Sequence, residues 1–195
     1  ARDVLEGEAS YDEDLWSQII EMGFTATAIP EEYGGLGLGY LELCVIAEEL
    51  GRSLAPTPFS SSVYLASEAI INFGDESQKQ SFLPGLASGE KIGAFAHSET
   101  NTSPTEANIN CSFSGGTLSG TKIAVADGDV ATTFIVTANN GSGVSLYLVD
   151  GTADGIQIES QTTLDPSRSH ASITFKNTPA TELESDWSDV LSLLD

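Results

Sequence analysis

The sequence predicts an α+β protein of more than one domain, with an N-terminal α-helical bundle followed by an antiparallel β-barrel or sandwich domain. Four segments in the first half carry apolar residues at helical spacing. Near Gly89 the apolar period changes from about 3.6 residues to about 2. Short segments rich in Val, Ile, Thr and Phe follow, and glycine turns such as Ser114-Gly115-Gly116 separate them.

This change of pattern predicts three parts of the chain. Residues 1–89 form the helical domain, and residues 90–182 form the β domain. Residues 183–195 begin a helical pattern that stops with the sequence, so we interpret them as the start of a third, helical domain that is absent.

The first two helices are predicted from their ends and their apolar stripes. Asp12 or Asp14 caps the first helix, and Gly23 ends it in a left-handed conformation. The second helix spans residues 40–50 and has Gly51 as its cap. Its predicted inward face consists of Leu41, Cys44, Val45 and Ala47.

Proline and capping residues define the next two helices. Pro58 lies in the first turn of the third helix, which Gly74 ends. Asp75 and Gln78 form a variant of the capping box at the start of the fourth helix. This helix is predicted to extend through Leu83 and to stop at the following Pro-Gly pair.

Eight short strands are predicted after the helices. They span residues 92–97, 107–113, 117–119, 122–126, 132–138, 144–150, 156–159 and 172–176. Their lengths and the turns between them favour antiparallel pairing over a parallel sheet.

Residues 29–39 form a glycine-dense loop, Ile-Pro-Glu-Glu-Tyr-Gly-Gly-Leu-Gly-Leu-Gly. So many glycines indicate a backbone that turns sharply and passes close to another segment. The spacing Gly35-x-Gly37-x-Gly39 differs from the dinucleotide fingerprint, which also requires a preceding buried strand. We interpret this segment as a structural loop, with a phosphate-binding loop as the alternative.

Charge and cysteine content exclude several classes of function. The chain has 7 Lys and Arg against 29 Asp and Glu, a net charge of −22, and its bases are scattered, which argues against a nucleic-acid partner. Such an acidic surface is consistent with a salt-tolerant source.

Cys44 and Cys111 are predicted to be buried apolar residues, with a disulfide or metal role as the alternative. Without an apolar run long enough to cross a bilayer, the protein is predicted to be soluble and cytoplasmic.

Two combinations of polar residues invite a catalytic interpretation that the spacing disfavours. His97-Ser98-Glu99 has the residue types of a nucleophilic triad, but adjacent strand residues point to opposite faces. The other histidine, His170, is assigned to a solvated loop with Asp165 and Arg168. With two histidines and no suitable carboxylate spacing, no metal site is predicted.

Several short motifs together resemble the acyl-CoA dehydrogenase family over about residues 14–180. Besides the glycine-dense loop, they are Phe-Gly-Asp-Glu-Ser-Gln-Lys at residues 73–79, Leu-Pro-Gly-Leu-Ala-Ser-Gly at 83–89, Gly-Ala-Phe-Ala-His-Ser-Glu at 93–99, Leu-Ser-Gly-Thr-Lys at 118–122 and Leu-Tyr-Leu-Val-Asp at 146–150. The resemblance implies FAD-dependent α,β-dehydrogenation of an acyl-CoA thioester, an electron acceptor, and a homo- or hetero-oligomer.

The resemblance also implies which residues form the site. The flavin-binding residues would be Phe95, His97, Ser98, Ala124, Val125 and Ala126, with the Ser98 hydroxyl donating to the flavin ring. Ser103 would contact the acyl-CoA, because Pro104 stands where the family has a serine. The family's tryptophan-isoleucine-threonine is replaced by residues 124–126, and its flexible glycines are missing after Glu99.

These departures leave two functions open. In the first, the chain forms part of the flavin and acyl pockets of an enzyme whose catalytic carboxylate lies in the C-terminal domain, so the chain contains no catalytic residue and is inactive alone. In the second, it is a non-catalytic subunit without flavin that acts as a structural partner in a mixed oligomer. A third alternative is a generic β-barrel ligand-binding module with a helical extension.

Overall fold

The computed structural model describes residues 4–5 and 9–194, and it confirms the predicted fold class. The helices are α1 (Glu13–Glu21), α2 (Tyr40–Arg52), α3 (Glu68–Phe73), α4 (Glu76–Ala87) and, after the strands, α5 (Trp187–Leu194). A π-helix, Ser60–Ser67, runs directly into α3. Short 3-10 helices lie at Phe24–Ala26, Glu31–Tyr33 and Glu106–Asn108.

The strands form one mostly antiparallel sheet. They are β1 (Gly93–Ala96), β2 (Ser112–Ser114), β3 (Thr117–Ala126), β4 (Thr133–Asn139), β5 (Val144–Asp150), β6 (Ile156–Gln161), β7 (His170–Pro179) and β8 (Thr181–Glu182). The sheet order is β6-β7-β3-β2-β4-β5-β8, and β1 pairs with β4. The pairing of β1 with β4 is parallel, as is a one-residue bridge between β2 and β4.

The strand predictions were wrong in three places. The two strands predicted at 117–119 and 122–126 are one strand, β3, whose pairing with β7 shifts register twice. The strand predicted at 107–113 is a 3-10 turn followed by the short β2. The two-residue β8 carries no sequence signal, because its pairing with β5 depends on where the chain returns to the sheet.

The capping residues at the starts of the first and fourth predicted helices behave as predicted, whereas Pro84 does not end its helix. The Asp12 carboxylate accepts a bond from the Leu15 amide at 3.0 Å, and Asp75 and Gln78 form the predicted capping box. Helix α4 continues to Ala87 with Pro84 inside it. Gln80, whose carbonyl loses its partner, is exposed, as is Pro84, and burial of Leu86 in the core holds the last turn.

The predicted inward face of α2 was wrong. Leu41 and Val45 are 74% and 59% exposed, and Cys44 is exposed rather than buried. Leu43 is buried instead and packs in a cluster with Trp16 and Ile19. Gly51 lies within the helix, which ends at Arg52. Helix α2 carries apolar residues on more than one face, so periodicity alone could not select the buried one.

The glycine-dense loop packs against the segment before it through backbone hydrogen bonds. The amide of Gly37 donates to Ile29 O at 2.9 Å, and the amide of Leu38 donates to Thr27 O at 2.8 Å. A Cβ at Gly35 would overlap the Ile29 carbonyl, which confirms the predicted close approach. These amides already have partners, so the arrangement supports a structural loop over a phosphate cradle.

The π-helix packs directly on β1 and so joins the helices to the sheet. The Gly93 amide donates to the Ser62 hydroxyl at 3.2 Å. A Cβ at Gly93 would overlap the Ala66 side chain, so a glycine is needed for this contact. The main core cluster lies at this junction and includes Ala66, Ile135 and Leu148.

Other predictions concern cysteines, metals and membranes. Cys111 is buried as predicted, and both cysteines are free thiols. Across residues 4–5 and 9–194, no cluster of three or more His, Cys, Asp or Glu side chains is arranged to hold a metal ion. None of the helices in this part of the chain has the length and apolar character needed to span a bilayer.

Candidate functional site

The candidate site begins where β1 ends, at His97-Ser98-Glu99. The Ile123 amide of β3 donates to Ser98 O at 2.8 Å, so this segment lies beside β3. Ser98 is half-buried, and its hydroxyl makes no hydrogen bond with the described residues. A hydroxyl that has no partner among the described residues is available as a donor to a ligand.

A buried lysine lies beneath this segment. Lys122 on β3 is fully buried, and its ammonium donates to His97 O at 3.1 Å, to Glu99 Oε1 at 2.7 Å and to Thr137 Oγ1 at 2.9 Å. These three bonds use all the donors of the ammonium group. Burial lowers the pKa of Lys122, and the hydrogen bond to Glu99 opposes this shift.

Glu99 joins two segments of the chain. Its carboxylate accepts bonds from the backbone amides of Asn110 at 2.7 Å and Cys111 at 2.9 Å, besides the bond from Lys122. Burial raises the pKa of Glu99, but the bonds from Lys122 and the two amides outweigh it, so the pKa is lowered. The carboxylate thereby closes the base of the loop formed by residues 100–109, in which Ser103 is exposed.

The His97 ring lies between aromatic groups and does not bond Ser98. Its Nδ1 is 3.2 Å from Thr137 Oγ1, and the ring stacks on Trp187 of α5 at 5.8 Å and lies 5.7 Å from Phe95. The geometry therefore agrees with the interpretation that residues 97–99 are not a nucleophilic triad. Burial, with the charge of Lys122 as the second cause, lowers the pKa of His97 to about 4.

Stability is expected to fall as the pH drops from about 6.5 to about 4, partly because of His97. In this window the unfolded chain binds a proton at His97 that the folded protein excludes, so acidification favours unfolding. His97→Gln should therefore flatten the dependence of the melting temperature on pH between these limits. An unchanged slope in a pH series of thermal melts would contradict the assignment.

The two residue sets predicted for flavin binding are only partly on the surface. Ala124 is exposed with φ at 51°, its amide donates to Gln161 Oε1 at 3.1 Å, and Ala126 is half-buried. The side chains of Val125 (1% exposed) and Phe95 (9% exposed) lie in the interior instead. Val125 alternates with its more exposed neighbours, whereas all four residues of β1, including Phe95, are buried. These two residues can therefore meet a ligand only through their backbone.

A second buried ionic cluster lies at the junction of the helices and the sheet, and sequence reasoning missed it. Asp127 follows β3 and is 2% exposed, and it accepts bonds from Arg168 and from Ser61 of the π-helix. Arg168, predicted to lie in a solvated loop, thus has a structural role. Burial raises the pKa of Asp127, while the Arg168 charge acts in the opposite direction.

Lys122 was also missed as a site residue, although a signal was present. It is the one charged residue in an otherwise uncharged strand, β3. A lysine in such a position requires a carboxylate partner when it is buried. The motif at residues 93–99, which begins on β1, contains that partner, Glu99, but their separation of 23 residues hides the contact in the sequence.

Comparisons with known proteins place these features in a class. The family model for the acyl-CoA dehydrogenase N-terminal domain matches residues 1–90. The chain is 34% identical over 152 residues to the acyl-CoA dehydrogenase FadE27 of Mycobacterium tuberculosis. The aligned region covers 77% of this chain and 40% of the relative. It is 32% identical over 150 residues to a mitochondrial isovaleryl-CoA dehydrogenase of Solanum tuberosum. Here the aligned region covers 71% of this chain and 36% of the relative.

Solved structures share the fold. A steroid acyl-CoA dehydrogenase, the Tcur3481-Tcur3483 G363A variant, superimposes with a TM-score of 0.85 at 31% identity. The superposition covers 99% of this chain and 53% of the chain in that structure. The ChsE4-ChsE5 complex of Mycobacterium tuberculosis has a TM-score of 0.83 at 28% identity, and the superposition covers 98% of this chain and 53% of the chain in that structure. The chain belongs to the acyl-CoA dehydrogenase family. It spans less than half the length of the two curated relatives described above.

Proposed function

We propose that this chain forms part of the flavin pocket and the acyl pocket of an FAD-dependent enzyme that dehydrogenates an acyl-CoA thioester at its α and β carbons. The observation that carries the proposal is the Ser98 hydroxyl, which is half-buried and has no partner among the described residues. When bound, FAD would supply the hydride acceptor. A separate electron acceptor would complete the reaction cycle.

The residues at the end of β1 and on β3 fit a flavin in part. Ser98 would donate to the ring, and Ala124 and Ala126 would offer small apolar surfaces beside it. His97 would orient the segment through its stacking on Trp187 and would remain neutral above a pH of about 4. Ser103 on the exposed loop would contact the acyl-CoA.

No residue of this chain would be catalytic in this enzyme. The α-proton would be removed by a carboxylate elsewhere in the complete protein, so the chain alone is expected to be inactive. Residues 1–89 and 90–182 would be the two domains that form the walls of the site, and residues 183–195 would lead into the third domain. Because the net charge is −22, cations for the coenzyme A phosphates would come from that domain or from a partner subunit.

A visible absorption spectrum and a titration with FAD test this function. The sample is the full-length protein together with any chain that purifies with it. Flavin bands, and saturable binding of FAD after the flavin is removed, are the expected results. A colourless protein that binds no FAD even with its partner would overturn the proposal.

Ser98→Ala is expected to raise the dissociation constant for FAD by about tenfold, because one hydrogen bond to the flavin ring is lost. Ser112→Ala, at an exposed position of β2, is the control and should leave the constant unchanged. Fluorescence quenching of FAD measures both. Equal affinities for wild type and Ser98→Ala would remove Ser98 from the flavin site.

The second candidate function is a non-catalytic subunit without flavin in a mixed oligomer. Ala124 favours it, because the exposed position where the family resemblance implies a tryptophan carries only a methyl group. The related ChsE4-ChsE5 structure is described as a complex of two proteins. The Ser98→Ala titration decides between the candidates, since this one predicts that a different subunit holds the flavin and that Ser98→Ala leaves the dissociation constant of the complex unchanged.

A further inference from the structure

The strongest unassigned feature is the contact between Lys122 and Glu99. Its ion pair is 2.7 Å long, the Lys122 side chain is 0% exposed and the Glu99 side chain is 8% exposed. Removing two such charges from water is costly, and a buried ion pair is often no more stabilising than an apolar replacement. Stability alone therefore does not require charged residues at these two positions. The contacts of Lys122 and Glu99 indicate which segments the pair holds in place.

The pair holds the segment on either side of Ser98. Lys122 binds the His97 carbonyl, which precedes Ser98, and the Glu99 carboxylate, which follows it. Thr137 Oγ1, at 2.9 Å from Lys122 Nζ, ties the same ammonium to β4. The backbone of Ser98 is thereby fixed at both ends relative to the sheet.

The pair also holds the loop that carries Ser103. Residues 100–109 leave the sheet at Glu99 and return at Asn110 and Cys111, whose amides both bind the Glu99 carboxylate. Within the loop, the described bonds of Ser103 and Asn108 are local and exposed. Glu99 therefore holds the two ends of the loop together, alongside the bond from the Asn139 amide to Cys111 O at 2.8 Å, and Lys122 in turn holds Glu99.

We propose that Lys122 and Glu99 are positioning residues that set the flavin side of the site, at Ser98, and the acyl-CoA side, at the 100–109 loop, through one buried contact. This inference rests on the proposed function for the identity of the two ligands. The geometric part, that the ion pair orders residues 98–111, is independent of any ligand.

Hydrogen exchange followed by mass spectrometry tests the geometric part in the full-length protein. Lys122→Met should raise the exchange rate of peptides covering residues 98–111 by about tenfold while the rest of the sheet changes less. Arg168→Met breaks the other buried pair and is the matched control for lost stability. Equal changes at residues 98–111 in the two variants would overturn the inference.

A second variant covers the case in which Lys122→Met does not fold. The double variant Lys122→Met with Glu99→Gln removes both charges together, so no uncompensated charge remains buried. Its exchange at residues 98–111 should also exceed that of Arg168→Met by several-fold. Protection equal to that of the wild type in this folded variant would show that the ion pair does not order the segment.

FAD binding tests the functional part. Lys122→Met should weaken FAD binding about tenfold, and adding Ser98→Ala to it should have little further effect, because Ser98 is already displaced. Fully additive effects would overturn the role of the pair in positioning Ser98. If the wild type binds no FAD, the proposed function fails, and the exchange measurement alone decides whether the pair orders the segment.

Discussion

Arg168→Met is expected to lower the free energy of unfolding by about 3 kcal/mol, because it leaves the Asp127 carboxylate buried without a counter-charge. This value lies at the lower end of the range for broken buried ion pairs, since 34% of the Arg168 side chain is exposed and water screens part of the interaction. The loss should also loosen the junction of the helices and the sheet, because Arg168 contacts Ser61 as well. Urea unfolding measures the effect.

A double variant separates the unpaired charge from the loss of the arginine. Asp127→Asn combined with Arg168→Met removes both charges, and asparagine tolerates the positive φ of 56° at this position. We expect it to regain most of the lost stability. If the double variant is as unstable as Arg168→Met, the unpaired carboxylate is not the cause.

The loss in Arg168→Met should become smaller as the pH falls. Burial raises the pKa of Asp127 in the folded protein, and a protonated carboxyl needs no counter-charge. Lys91→Met provides a comparison, because its partner Asp150 is 40% exposed and the loss there should stay below about 1 kcal/mol. A loss in Arg168→Met that does not depend on pH would contradict this account.

Gly35→Ala is expected to lower the free energy of unfolding by at least about 3 kcal/mol, at the upper end of the cost of overpacking. The added methyl group would overlap the Ile29 carbonyl, which is backbone and cannot rotate away. To make room, the loop must give up hydrogen bonds such as those from Gly35 to Pro30 O and from Leu36 to Ala26 O, at 3.1 and 2.9 Å.

Gly51→Ala is the matched control for this prediction. A Cβ at Gly51 meets nothing within 4 Å, and the residue lies inside α2. Alanine there should raise stability by about 0.5–1 kcal/mol, because glycine is a poor helix former. If both variants changed stability by similar amounts in urea, the close approach at Gly35 would not be what the loop requires.

Local signals in the sequence predicted the elements that depend on neighbouring residues. The cap at Asp12, the capping box at Asp75 and the strand at 144–150 agree with the structure. The close approach at the glycine-dense loop was also predicted, because glycine is informative where a backbone must be crowded. The resemblance to the family was also identified from the sequence, because each of its motifs spans only a few neighbouring residues.

Contacts between distant residues were not predictable in the same way. The pairs Lys122–Glu99 and Arg168–Asp127 join residues 23 and 41 positions apart. The exposed face of α2 likewise depends on what packs beside it. No local rule specifies which distant side chain will meet a buried charge, and that choice decides the geometry of the candidate site.

The sequence by itself therefore determined the change from helices to strands, the N-terminal caps at Asp12 and Asp75 and the family to which the chain belongs, since these follow from patterns over a few residues. Only the tertiary structure decided that Val125 and Phe95 lie in the interior while Ser98 stays available. It also placed an ion pair beneath the proposed site. The physical reason is that burial and charge pairing depend on how separate segments pack, and packing is a property of the whole fold.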